Sequence, residues 1–191
     1  MASLVVVTRP APSGPALCEL LQGNGWRAVW LPAFTLGPAP DPARVAQTLS
    51  RLTDFDLAVF VSSNAVRAVS GAFRQVWPVA VAIGVVGDAT LRAVSSELPG
   101  AAAATLIAPA SESDEGSEGL WAAWVARGVT ARRVLILRAQ SGREWLAETF
   151  AAAGSAVESL AVYRREFAKL DEMQRNAIKT AMALGQTPLT L

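Results

Sequence analysis

The feature that most constrains this chain is a rhythm. Short runs rich in valine, leucine and isoleucine fall at residues 4–7, 28–31, 57–61, 81–86, 106–107, 134–137 and 157–162, with longer stretches between them. Several of those stretches carry helical spacing, as in Val66, Val69, Phe73 and Val76, or Leu91, Val94 and Leu98. Strands alternating with amphipathic helices are the signature of βαβ units and a parallel sheet, so each helix is expected to bury one face on a sheet. Leu120, Trp121, Trp124 and Val125 make another such face, as do Leu146 and Phe150. Their tryptophans read as core filling rather than a ligand platform.

Composition narrows the chemistry. With 191 residues, 52% of them hydrophobic, the chain has enough apolar surface for one large domain or two small ones. A net charge of +1 with interspersed signs gives no basic stripe, which points away from nucleic acid and toward small molecules. There is no histidine, and Cys18 is the one cysteine. An internal disulfide is thereby excluded, no soft-ligand cluster exists for zinc or iron-sulfur, and a reducing cytoplasm fits. Chemistry must therefore run on backbone amides, hydroxyls, carboxylates and arginines. The N-terminal apolar run reads as a strand and not as a signal peptide, since no basic region precedes it. No apolar run approaches the ~20 residues of a membrane helix. Arginine outnumbers lysine 15 to 2; forked recognition of carboxylates would use that excess, and coding bias explains it more simply.

Two irregular stretches punctuate the pattern. Leu36-Gly37-Pro38-Ala39-Pro40-Asp41-Pro42 forbids helix continuation and central-strand pairing, which marks a crossover between domains. Residues 111–119 form an acidic loop ahead of the Trp-containing helix. No repeat of fixed period is present.

In open parallel sheets ligands bind beyond the carboxyl ends of the strands, so each strand exit is a candidate. The first exit gives Thr8, Arg9 and Pro10. The third gives Ser62, Ser63 and Asn64, which suit an ordinary helix N-cap as well as a ligand contact. The fourth gives Gly84-Val85-Val86-Gly87-Asp88-Ala89-Thr90, a glycine turn feeding a helix start whose free N–H groups favour an anion. Its spacing matches neither a dinucleotide fingerprint nor a P-loop. The sixth gives Arg138, Ala139, Gln140, Ser141, Gly142, Arg143 and Glu144. There Ser141 and Glu144 are spaced as a capping box, and the arginines are suited to carboxylates. The seventh gives Tyr163, the one tyrosine, followed by Arg164 and Arg165.

In order, these exits resemble the uroporphyrinogen-III synthase family. The pieces that carry the resemblance are Val6-Val7-Thr8-Arg9-Pro10, Leu31-Pro32, Val59-Phe60-Val61-Ser62-Ser63-Asn64-Ala65-Val66, Val86-Gly87-Asp88-Ala89-Thr90, Arg138 through Glu144, and Val162-Tyr163-Arg164. The resemblance implies two flavodoxin-like or Rossmann-like α/β domains with parallel sheets, joined by a two-stranded linker. The first would be discontinuous, residues 1–35 with 165–191, and the second would be inserted as residues 36–164. Relative to the family pattern the first domain is expected to be incomplete at its C-terminal end, turning at Gly185 to Pro188 and lacking the further strands and helices of that pattern. An unpaired sheet edge would then favour association of an otherwise monomeric protein.

The implied activity is a cofactor-free lyase reaction. The linear tetrapyrrole hydroxymethylbilane loses its hydroxyl and closes with inversion of the last ring, giving uroporphyrinogen III. Tyr163 matches the family's candidate acid for hydroxyl departure, and Thr90 the threonine of its second-domain turn. Thr8, Arg9, Ser62, Ser63, Asn64, Gly87, Arg138, Ala139, Gln140, Ser141 and Gly142 would bind substrate, with no metal. The competing expectation is a non-catalytic α/β module that binds an anionic ligand or a tetrapyrrole, or an inactive synthase fragment.

Overall fold

The computed structural model describes residues 4–111, 114–183 and 189–190. In chain order its elements are β1 (Leu4–Val7), α1 (Ser13–Gly23), β2 (Arg27–Trp30), β3 (Phe34–Gly37), α2 (Pro42–Ser50), β4 (Leu57–Phe60), α3 (Ser63–Ala72) and β5 (Ala82–Val85). There follow α4 (Asp88–Glu97), β6 (Leu106–Ile107), α5 (Ser117–Ala126), β7 (Arg133–Ala139), α6 (Trp145–Ala152), β8 (Ala156–Phe167), α7 (Glu172–Ala183) and β9 (Leu189–Thr190). The chain divides into two compact units, Met1–Gly37 with Arg165–Leu191, and Pro38–Arg164.

In the first unit β1 lies between β2 and β9, parallel to both. Val5, Val7 and Cys18 form its core, with Leu17, Leu21, Ala28 and Trp30 packed around them. Gln22 ties α1 to the neighbouring strand by donating to the Ala28 carbonyl at 2.8 Å. The Trp30 indole donates to the Arg9 carbonyl at 2.8 Å. Gly14 is required beneath that bond, because a Cβ there would overlap both the Arg9 oxygen and the Trp30 ring. Burial raises the Cys18 thiol above its ordinary pKa, with Glu19 adding to the effect, so it behaves as a small hydrophobe.

The second unit is built on the strand order β8-β7-β4-β5-β6, and these neighbours are parallel. β4 is central, and all four of its residues are fully buried, as expected where helices cover both faces of a parallel sheet. On one face Leu57, Val59, Val134 and Ile136 pack under Leu120 and Trp124 of α5 and Leu146 and Phe150 of α6. Phe150 meets the edges of Trp121 and Trp124 at ring separations of 5.1 and 5.7 Å, and burying such a ring contributes about 1.5–3 kcal/mol. Phe60, Phe73 and Trp77 form a second aromatic group. Helix α2 is fastened to β8 through Glu158, which accepts from Thr48 at 3.1 Å and Arg51 at 2.9 Å.

Three local features depart from the sequence reading. The sequence pattern does not anticipate the strand β3: it ends at Gly37, just before the prolines, and pairs with β8 at an edge of the sheet, so the prolines from Pro38 onward interrupt no pairing. Val76 and Val125 are exposed: Val76 lies beyond α3, which ends at Ala72, and Val125 stands in the last turn of α5, whose buried residues are Leu120 and Trp124. Residues 189–190 form the strand β9, pairing Val5 with Leu189 and Val6 with Thr190. The expected turn at 185–188 lies outside the described residues.

Candidate functional site

Strand register sets the geometry of the second unit's carboxyl edge. Phe60 pairs with Val85 on one side and Leu137 on the other, so Ser62, Gly87 and Ala139, each two residues further on, fall on one row. Tyr163 joins that row because Ala139 pairs with it directly. It does so through a β-bulge: Arg138 pairs with Ala161, the next pair is Ala139 with Tyr163, and Val162 is the extra residue. Side chains alternate faces along a strand, so in unbroken register Val162 would pair with Ala139 and Tyr163 would turn to the other face; the bulge absorbs Val162 and keeps Tyr163 on the face of Ala139.

That face carries the start of α3. Ser62 is its N-cap and accepts from the Ala65 amide at 3.2 Å. The same hydroxyl lies 3.2 Å from the Tyr163 phenol oxygen. Tyr163 is 4% exposed, and the Gln140 amide donates to its carbonyl at 2.9 Å. Ser63 and Asn64 stand in the first turn of α3, half-buried, where Asn64 accepts from Arg67. The capping and site readings of this exit therefore converge on Ser62.

The exit of β5 leads straight into α4, with Gly87 as N-cap in extended conformation. One of its first amides is already engaged: the Glu115 carboxylate accepts from the Asp88 amide at 2.6 Å, and a Cβ on Gly87 would come within 2.7 Å of that carboxylate. Thr90 is buried in the first turn, its amide bonded to the Gly87 carbonyl at 3.1 Å. A cleft of about 250 Å³ opens beside Gly87, Asp88, Leu91, Pro109 and Glu115.

At the exit of β7 the expected capping box does not form. Helix α6 starts at Trp145, its N-cap is Glu144, and no side chain caps it. The Glu144 carboxylate instead pairs with Arg138 at 2.5 Å, because a buried guanidinium competes better for it than an exposed helix amide does. Ala139 is buried, whereas Gln140, Ser141 and Gly142 are exposed in the loop. Arg143 pairs with Glu118 at 2.5 Å and leans over the Trp145 ring. Hydrogen bonding to Arg143 holds the Glu118 carboxyl below the usual carboxylate range.

Thr8 and Arg9 belong to the other unit, at the exit of β1, where the Thr8 carbonyl accepts from Ala33 at 3.0 Å. Among the described residues no group of three or more histidine, cysteine, aspartate or glutamate side chains is arranged to hold a metal ion. Among them too, no helix is long and apolar enough to cross a membrane. Glu115 escapes sequence reasoning, and Glu144 enters it only as a capping-box partner, because nothing in their local spacing announces the amide and the guanidinium they reach.

Two α/β units, one assembled from both ends of the chain, with polar loops lined up along a parallel sheet's carboxyl edge, define a discontinuous two-unit α/β protein. A family model described as Uroporphyrinogen-III synthase HemD matches residues 15–184. The chain belongs to the uroporphyrinogen-III synthase family. It is 28% identical over 166 residues to a uroporphyrinogen-III synthase of Proteus mirabilis, covering 85% of this chain and 80% of the relative. To the synthase of Escherichia coli it is 29% identical over 84% of this chain, and it spans 64% of that relative's length. Its fold is similar to that of a mutant uroporphyrinogen III synthase from Thermus thermophilus, at TM-score 0.61 and 15% identity, over 99% of this chain and 72% of the other. A Helicobacter pylori uroporphyrinogen-III synthetase structure matches at TM-score 0.52 and 17% identity, over 93% and 68%.

Proposed function

We propose that this chain carries the cyclising activity for which its family is named: hydroxymethylbilane loses water and closes, with inversion of its last ring, to uroporphyrinogen III. The observation that carries the reading is the row Ser62, Gly87, Ala139 and Tyr163 along one sheet edge, with the phenol and the Ser62 hydroxyl in contact.

The chemistry matches what these groups offer. Hydroxymethylbilane closes unassisted to the uninverted type I isomer, so the protein's task is chiefly orientation, worth several kcal/mol when reacting atoms are held in place. Tyr163 supplies a weakly acidic O–H to the departing hydroxyl. Its contact with the Ser62 hydroxyl, in which either oxygen can donate, orients the phenol. Thr90, Ser63, Asn64 and the turn from Ala139 to Gly142 hold acetate and propionate side chains, as does the buried Arg138 cation. The reaction as read here is that of a lyase and needs no cofactor. The lone buried thiol suits a cytoplasmic setting, and a monomer is the working state.

Incubation with hydroxymethylbilane followed by separation of the isomers tests the proposal. Type III product is expected, and type I alone would sink it.

A further inference from the structure

Arg138 is the one charged residue that is buried among the described residues. Its side chain is 8% exposed, and its one partner among those residues is Glu144, itself 57% exposed. A guanidinium carries five N–H donors, and one carboxylate oxygen leaves most of them unmet. Unmet buried donors are costly. The pair is thus lopsided, a fixed buried cation and a solvent-facing anion on a loop that no cap anchors. Gly142 belongs to the same loop, and a Cβ there would lie 3.1 Å from Arg138 Nη2, so a larger residue would crowd the cation. The nearby Arg143–Glu118 pair has both partners more than half exposed and behaves as an ordinary surface pair.

We propose that Glu144 is an exchangeable counter-ion: it neutralises Arg138 in the empty protein and yields it to a carboxylate of the bound ligand. This rests on the reading above, in which the ligand is a tetrapyrrole bearing acetate and propionate groups. A ligand carboxylate can engage the fork with both oxygens, which Glu144 does not, and Glu144 then returns to water. Glu144 is therefore a determinant of affinity that works against binding and keeps Arg138 selective for carboxylates.

The test measures the Kd of uroporphyrin III by fluorescence and the KM for hydroxymethylbilane in wild type, Glu144→Gln and Glu144→Asp. Removing the competitor should lower both constants about threefold to tenfold with kcat nearly unchanged. In an Arg138→Lys background the same substitution should change them less than about twofold. The rise in Tm caused by uroporphyrin should be larger in Glu144→Gln than in wild type, although the free variant melts lower. Should Glu144→Gln fail to fold, Glu144→Asp, whose shorter arm loosens the pair, carries the same expectation. Unchanged or raised Kd in the variants overturns the exchange while leaving the synthase reading intact if wild type makes type III isomer. Binding without turnover removes the synthase reading and leaves the Kd comparison to judge the exchange. A wild type that neither binds uroporphyrin nor turns over removes both.

Discussion

The Tyr163 phenol and the Ser62 hydroxyl meet at 3.2 Å although 101 residues separate them in the chain. Ser62 also caps α3, so one hydroxyl serves a helix start and a candidate acid together. Tyr163→Phe should slow type III formation about tenfold to a hundredfold with little loss of Tm, because Ser62 keeps its bond to the Ala65 amide. Ser62→Ala should cost about 2 kcal/mol, since it removes the cap and leaves a buried phenol unpaired. Rate assays and denaturant melts separate the two effects. An unchanged rate in Tyr163→Phe would remove the phenol from the mechanism.

At the start of α4, Gly87 and Glu115 are coupled. Glu115→Ala should cost about 1 kcal/mol through loss of a charged acceptor at the Asp88 amide. Gly87→Ala drives out the same carboxylate, so the double variant should be destabilised by less than the sum of the singles. Strict additivity in urea unfolding would mean that the two do not share one interaction.

Glu158 holds α2 against β8, and its partners are unequal. Arg51 lies at 2.9 Å and Arg44 at 3.7 Å. Glu158→Ala should destabilise the protein by about 2 kcal/mol, Arg51→Ala by about half of that, and Arg44→Ala by under about 0.5 kcal/mol. Equal losses for the two arginines would contradict the geometry.

The Glu118–Arg143 pair predicts a pH dependence with a definite sign. The folded carboxyl holds its proton less tightly than the unfolded one. Its contribution is therefore complete above the ordinary glutamate pKa of about 4.3 and disappears as pH falls through the lower folded value. The Tm advantage of wild type over Glu118→Gln should be present at neutral pH, shrink with added salt, and vanish in acid. An advantage that survives unchanged in strong acid would point to packing instead.

The strands of the second sheet were legible from sequence because buried parallel strands are continuous apolar runs, as at Leu57, Ala58, Val59 and Phe60. β3 was not, because Phe34, Thr35, Leu36 and Gly37 precede a proline-rich stretch and only an edge position lets them pair. The candidate exits could be named from sequence, but not their alignment. Whether Ser62 faces Tyr163 depends on register across strands distant in sequence, and local spacing carries no such information. The failed capping box at Ser141 has the same origin, since Glu144 answers to a cation six residues back that tertiary burial had made hungry for an anion.

Val162 is slack that the bulge takes up. Deleting it would leave Ala161 opposite Arg138 and bring Tyr163 opposite Ala139 in unbroken register, so the phenol would keep its face. One further residue ahead of Tyr163, not taken up by the bulge, would instead turn the phenol to the opposite side, away from Ser62. A chain could in this way keep its whole architecture and lose its acid through a single-residue insertion, so spacing along this strand discriminates a competent relative from a silent one better than the mere presence of a tyrosine.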